Sequence, residues 1–252
     1  MDLPEALFFD MDGVIIDTEK DGHRVAFNAA FKEFGFPVSW NVDYYGELLK
    51  ISGGKERMRH HLHTKGFGRE VNPDSVDDLI IKLHNRKTEI FITLIEGGSL
   101  QLRPGIHRLM KEANDLGVPV CICTTATQKS AEAVASHSLP TINFSHILAG
   151  DIVARKKPAP DIYELALEKT GKERSRCIVV EDSRNGMLAG DSAGIPVVVT
   201  TSIYTKDEEF DKAKLVVSCL GDEDGERGTL LAGSQVQGYD GVLTLPMLGS
   251  LI

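Results

Sequence analysis

Two aspartates spaced by one residue close an apolar run, Ala6-Leu7-Phe8-Phe9-Asp10-Met11-Asp12-Gly13-Val14, and lead into a glycine-containing turn. The run reads as a buried strand ending in an acid pair. Side chains alternate along an extended backbone, so Asp10 and Asp12 fall on the same side. There one carboxylate can act on a substrate while its neighbour handles protons, and a bound cation tempers their mutual repulsion. Such a pair suits phosphoryl transfer through an aspartate nucleophile. An Asp-Gly turn after an ordinary strand has the same sequence, so the choice rests on what the rest of the chain supplies.

Three further polar groups fall where strands should end. Val120-Cys121-Ile122-Cys123 runs into Thr124-Thr125, whose hydroxyl and following backbone N–H groups can hold a phosphate oxygen. Ile178-Val179-Val180 runs into Glu181-Asp182-Ser183, a second acid pair. Between them Lys156-Lys157-Pro158-Ala159-Pro160-Asp161 sets a lysine in a loop stiffened by two prolines. Each has a plainer reading: Thr124 as a β-former, Lys157 as a solvated charge, Asp182 as a helix cap. A hydroxyl, a cation and two acid pairs at successive strand ends are hard to reconcile with three coincidences.

The elements that must position these groups follow from hydrophobic patterning. Strand-like runs recur at Ala6–Phe9, Val118–Cys123, His146–Ala149, Cys177–Val180, Ile195–Thr200 and Leu215–Val217. Helical patterns fall between most of them. After Pro104-Gly105, Ile106, Leu109, Met110 and Ala113 mark one helical face that stops at Gly117. Asp161 is placed to cap a helix carrying Ile162, Leu165, Ala166 and Leu167, which ends at Gly171. Strands alternating with helices predict an α/β fold, a doubly wound parallel sheet with a Rossmann-like core. Its ligand site belongs at the carboxyl ends of the strands.

The interval between the first two strands is too long for a simple crossover. Residues 17–98 show only helical patterns, at Val25–Phe34, Tyr44–Leu49, Lys55–His63 and Val76–Ile95. They predict an inserted all-helical subdomain acting as a lid, with residues 1–16 and 99–252 forming the core. The tail after Gly221 is rich in Gly and acids, and Gly241-Val242-Leu243-Thr244-Leu245 can add a short edge strand.

Composition narrows the partners. Lys and Arg total 28 against 37 Asp and Glu, a formal net charge of −9, and no basic stripe suggests a nucleic-acid face. No apolar run reaches membrane-spanning length and no signal-peptide pattern appears, so a soluble protein is expected. The four cysteines are expected to pack as small hydrophobes in a reducing compartment. His60, His61 and His63 lack further ligands at metal spacing and are expected on a solvated helix face.

Taken in order, Asp10-Met-Asp12-Gly-Val, Thr124, Lys157-Pro and Glu181-Asp182-Ser183 resemble the four signature motifs of the haloacid dehalogenase-like phosphatases. The insertion point resembles the helical cap of their first subgroup. Within the insertion, Asp17-Thr18-Glu19-Lys20-Asp21-Gly22-His23-Arg24 and Ser52-Gly53-Gly54-Lys55-Glu56-Arg57-Met58 look like the CbbY branch, in particular its plastid form from plants. The resemblance spans about residues 5–220.

That resemblance implies an activity and a division of labour. The branch removes a phosphate from xylulose 1,5-bisphosphate, an inhibitory by-product of Rubisco. Asp10 would attack phosphorus and become an aspartyl phosphate. Asp12 would protonate the leaving sugar oxygen and then deprotonate the hydrolytic water. Mg²⁺ would be held by the Asp10 carboxylate, the Asp12 backbone carbonyl, Asp182 and Glu181. Thr124 and Lys157 would stabilise the transferring group, with Thr125 beside them. In the cap, Gly53 and Gly54 would bring backbone N–H groups to an anion at a helix start while Lys55 and Arg57 supply charge. A Gly-Gly linker before a solvated helix has the same local sequence. The segment is not a Walker A loop, since Glu56 stands where Ser or Thr is needed. Glu19 and His23 would meet sugar hydroxyls.

The expected partner is a small sugar phosphate, with neither nucleic acid nor membrane, and the chain is expected to be monomeric. The expected compartment is the chloroplast stroma in a plant or alga, with the transit peptide outside this chain, or else the bacterial cytoplasm. The same four motifs serve β-phosphoglucomutase-like sugar phosphomutases and phosphoglycolate-type phosphatases. A dehalogenase is disfavoured by Asp12 and the Glu181-Asp182 pair. A receiver-like signalling module also joins an aspartate, a hydroxyl, a lysine and an acid pair on a doubly wound sheet, but it would be far shorter and lack the insertion.

Overall fold

The computed structural model describes residues 3–51, 53–150 and 152–252. The chain divides into two compact units, Met1–Asp17 with Gln101–Ile252, and Thr18–Leu100. The first unit is built on a seven-stranded sheet: β1 (Ala6–Phe9), β2 (Val120–Thr124), β3 (His146–Ala149), β4 (Cys177–Glu181), β5 (Val197–Thr200), β6 (Leu215–Val217) and β7 (Leu230–Gly233). Their order is β3-β2-β1-β4-β5-β6-β7, with β1 to β6 parallel and β7 antiparallel to β6. Every residue of β1, β2, β4 and β5 is buried. Continuous apolar runs, rather than alternating ones, suit strands covered on both faces. The flanking helices, numbered in chain order after the four α-helices of the other unit, are α5 (Ile106–Asp115), α6 (Gln128–Ala133), α7 (Asp161–Thr170) and α8 (Arg184–Ser192). The chain builds outward from β1 to β2 and β3, then returns to β4 on the other side of β1. The crevice at that reversal is where a doubly wound sheet places its ligand.

Local chemistry shifts several boundaries from those expected. Val118 lies outside β2 because its N–H closes the end of α5 on Ala113 O at 2.8 Å. Ile195 likewise precedes β5, its N–H bonding Gly190 O at 3.0 Å. Asp161 does not cap α7. It is the first residue of that helix, behind Pro160, and its carboxylate accepts from the Arg155 guanidinium at 2.7 Å. Ser183 caps α8, accepting from Gly186 N–H at 3.1 Å, which leaves the Asp182 carboxylate out of the capping role.

The edge strand expected at Gly241–Leu245 does not form, and β7 lies at the edge beyond β6 instead. Val242 and Leu243 are buried in a loop tied by Leu243 N–H to Leu220 O at 2.8 Å. Leu245 then starts α9 (Leu245–Gly249), its N–H capped by Glu112 at 3.2 Å, while Pro246 has no N–H to give a ladder. These apolar residues pack instead of pairing.

The helical unit holds a π turn (Glu19–His23), α1 (Arg24–Glu33), α2 (Val42–Leu49), α3 (Gly54–Lys65), a 3₁₀ turn (Pro73–Ser75) and α4 (Val76–Glu96). Its core is aromatic, with Phe27, Phe31, Trp40, Tyr45, Phe67 and Phe91 all buried. Asn41 caps α2, accepting from Tyr44 N–H at 2.8 Å. One expectation fails here. His60 and His63 face solvent, but His61 is buried, bonded to the Tyr44 hydroxyl at 2.9 Å and stacked against Phe67. A cluster of rings offers the imidazole both faces and one hydrogen bond, enough to bury it as a neutral group.

No helix among the described residues is long and apolar enough to cross a membrane. All four cysteines are buried, and burial raises the Cys121 and Cys177 thiols to about 12.

Candidate active site

The carboxyl ends of β1, β2 and β4 bring the expected polar groups together. Asp10 follows β1, Thr124 is the last residue of β2, and Glu181 is the last of β4 with Asp182 next. All four are buried. β1 lies between β2 and β4, so strand register alone brings these positions side by side. Lys157 enters from the loop before α7. Its ammonium lies 2.5 Å from Asp10 Oδ1, 2.6 Å from Glu181 Oε1 and 2.9 Å from Cys123 O. A lysine with a side chain only 7% exposed is thus matched by two carboxylates and a carbonyl. Burial disfavours its charge, but Asp10 and Glu181 outweigh that and raise the Lys157 pKa.

The acids are less well compensated. Burial raises Asp10 from 3.8 to about 8; Lys157 opposes the shift, while Glu181 and Asp12 add to it. Asp182 is also raised well above its usual value, first by burial and then by Asp10 and Glu181, with Arg103 opposing. Ligand atoms of Asp10, Glu181 and Asp182 lie within 4.8 Å of one another, the group among the described residues placed to hold a metal ion. Three buried carboxylates against one close ammonium call for a further cation. Their oxygens suit a hard divalent ion such as Mg²⁺. Glu181 is the acid most engaged by the protein. Its carboxylate also accepts from the Tyr163 hydroxyl and, at 3.3 Å, from Asp182 N–H.

Asp12 lies in a tight loop after Asp10. Val14, Ile15 and Ile16 N–H all reach Met11 O, at 3.4, 2.9 and 3.4 Å, and Gly13 N–H reaches Ile16 O at 2.8 Å. Gly13 takes φ +82°, and a side chain there would overlap the Asp182 carboxylate. Only glycine combines that backbone with that clearance. Gly186 in α8 is constrained similarly, since a Cβ would overlap the Glu181 carboxylate. Thr124 turns its hydroxyl back to accept from Ala126 N–H at 3.1 Å, and Thr125 is exposed beside it.

The remaining expected residues belong to the helical unit. The Glu19 carboxylate accepts from the Tyr45 hydroxyl at 2.6 Å and lies 3.8 Å from Arg57. Arg57 also donates to Ile51 O at 2.9 Å. His23 Nδ1 lies 2.9 Å from the Lys87 ammonium, and its ring packs tilted against Phe91 with the centroids 4.0 Å apart. Burial, followed by the charge on Lys87, holds His23 well below the usual imidazole range. Gly53 precedes α3 with φ +95°, Gly54 opens it, and Lys55 is exposed. Ser52, from the same motif, lies outside the described residues.

Sequence reasoning missed Tyr45, Lys87, Arg103 and Tyr163. Lys87 carried a readable signal: it occupies the stripe Ile80, Leu83, Lys87, Phe91, where helical spacing calls for an apolar residue. Tyr163 shows the same spacing signal next to Ile162 and Ala166.

Comparison with known proteins gives the family. Residues 4–194 match the family described as haloacid dehalogenase-like hydrolase. The chain belongs to that family. It is 47% identical over 229 residues to a CBBY-like protein of Arabidopsis thaliana, covering 89% of this chain and 72% of that protein. The crystal structure of CbbY from Rhodobacter sphaeroides in complex with phosphate superposes with a TM-score of 0.74 at 37% identity, covering 86% of this chain and 95% of that one. A mutant of the same protein in complex with xylulose-(1,5)-bisphosphate matches with a TM-score of 0.74 at 36% identity and the same coverage. With CbbY homologues on one side and an aspartate-centred site on the other, this member of the family is a phosphatase.

Proposed function

We propose that this chain is a Mg²⁺-dependent phosphatase that converts xylulose 1,5-bisphosphate to xylulose 5-phosphate through an aspartyl phosphate. The observation that carries the chemistry is the Lys157 ammonium shared between Asp10 and Glu181, with Asp182 close by. Support for the substrate comes from the relative bound to xylulose-(1,5)-bisphosphate.

Asp10 would be the nucleophile: one carboxylate oxygen bonds phosphorus as the bond to the leaving sugar oxygen breaks. Asp12 would give that oxygen its proton, then take one from the water that hydrolyses the acyl phosphate, help typically worth about 10²–10⁴-fold. Lys157 orients Asp10 and, with the Thr124 hydroxyl and the N–H groups after it, would balance charge on the transferring phosphoryl group. Asp10, Asp182, Glu181 and the Asp12 carbonyl would hold Mg²⁺, which supplies charge neutralisation at the phosphoryl oxygens. Gly53, Gly54, Lys55 and Arg57 would recognise the second phosphate, and Glu19 and His23 the sugar hydroxyls. The protein would act as a monomer on a small molecule, in the stroma of a plastid or the cytoplasm of a bacterium.

The Asp10→Asn variant tests this reading, because an amide cannot form the covalent intermediate. Turnover should vanish while xylulose 1,5-bisphosphate still binds in a calorimetric titration; unchanged phosphate release would remove Asp10 as nucleophile.

A further inference from the structure

Arg103 stands where the chain re-enters the sheet unit, just before Pro104-Gly105 and α5. Its guanidinium donates to four backbone carbonyls: Gly13, Thr200 at 3.1 Å, Thr201 at 2.6 Å and Ser218 at 2.8 Å. It also reaches Thr200 Oγ1 at 3.1 Å. Thr200 ends β5 and Ser218 follows β6, so two of the anchors belong to rigid strand ends. Gly13 belongs to the loop that carries Asp12. The neighbouring backbone is tied to that loop as well, through Arg103 N–H to Ile15 O at 2.9 Å and the bridge between Ile16 and Leu102.

The loop has little room to adjust. A side chain at Gly13 would overlap the Asp182 carboxylate, and its backbone angle is reserved for glycine. A planar guanidinium with five N–H donors can satisfy several carbonyls in fixed directions, which an ammonium on a flexible stem cannot. Burial lowers the Arg103 pKa from its usual value, and Asp182 and Asp17 oppose that shift.

We infer that Arg103 is a positioning residue for Asp12, holding the Gly13 carbonyl so that the Asp12 carboxyl stays in line to protonate the leaving oxygen. The inference rests on the proposed role of Asp12 as general acid. In the step concerned, Asp10 bonds phosphorus, the phosphorus–oxygen bond to the leaving group breaks, and the Asp12 proton passes to that oxygen. A leaving group already stable as an anion needs no such proton.

The test compares kcat/KM for phenyl phosphate and p-nitrophenyl phosphate, both with Mg²⁺, in the wild type, Asp12→Asn, Arg103→Lys and Thr200→Val. A displacement of about 1 Å near the chemistry can cost about a hundredfold. Arg103→Lys should therefore lose about tenfold or more on phenyl phosphate and less than about threefold on p-nitrophenyl phosphate. Thr200→Val, which removes one anchor from a near-isosteric side chain, should show a smaller loss with the same selectivity, and it decides the matter if Arg103→Lys does not fold. Asp12→Asn should show the largest selectivity of the three. Equal losses on both substrates in Asp12→Asn would overturn the general-acid reading and this inference with it. Selectivity in Asp12→Asn without any in the Arg103 and Thr200 variants would overturn only the inference. A loss in Arg103→Lys that raised Mg²⁺ reversed would also overturn it, assigning Arg103 to the acid cluster alone.

Discussion

Magnesium should stabilise this protein more as pH rises. Without the metal, burial dominates the balance that raises Asp10 from 3.8 to about 8, so the folded chain holds the Asp10 proton more tightly than the unfolded chain does. The native state then binds more protons than the unfolded state between those two values. The contribution of Asp10 to stability is fully present below about pH 4 and is lost as pH rises through about 8. A cation that binds the carboxylate must displace this proton, so its apparent affinity should rise about tenfold per pH unit up to that point. If Asp182, also raised, releases a second proton, the rise is steeper. Each proton is worth about 1.4 kcal/mol per pH unit, or about 3 kcal/mol between pH 6 and 8. At about 2–4 °C per kcal/mol for a chain of this size, the magnesium-induced shift in Tm should differ by about 10 °C over that interval. His23, His61 and His84, all lowered, make stability rise with pH in the opposite sense. They contribute with and without the metal, so the difference between paired melts in EDTA and excess Mg²⁺ isolates the acid cluster. A magnesium shift of equal size at every pH would mean the carboxylates are already ionised, refuting the electrostatic account of the site.

Two substitutions probe separate parts of the proposal. Charge-assisted contacts are worth about 1.5–3 kcal/mol, so Lys55→Ala should weaken bisphosphate turnover by about tenfold or more and spare small monophosphates; equal losses in steady-state kinetics would assign Lys55 to another task. Gly13→Ala forces a side chain into the Asp182 carboxylate at φ +82°, and both strain and overlap should lower activity at least about a hundredfold and reduce Tm; near-wild-type kinetics would show that the Asp12 loop tolerates rearrangement.

The strands that carry the site were legible because each is buried on both faces and its sequence is apolar throughout. Once their order was parallel, Asp10, Thr124 and the Glu181-Asp182 pair had to meet at one end. Lys157 was legible only through its company, since no local pattern distinguishes it from Lys156. The edge was misread for a physical reason. Leu230 and Leu231 in β7 are half-buried or exposed, giving a weak signal, while Val242 and Leu243 are apolar because they pack against the unit without pairing. Arg103 left no trace in the sequence, because four of its partners are carbonyls, of residues up to 115 positions away, and every residue type offers a carbonyl. His61 was misplaced because its aromatic neighbours come from α1, the Trp40 loop and Phe67, which sequence spacing does not join.

Hydrolysis of a sugar bisphosphate is the activity proposed for this site. Phosphate release should be followed across a panel of sugar mono- and bisphosphates with Mg²⁺ present, together with identification of the sugar product. Xylulose 1,5-bisphosphate should give the highest kcat/KM, yielding one phosphate and xylulose 5-phosphate. An isomerised sugar phosphate without free phosphate, or an equal or greater rate on small monophosphates, would contradict it.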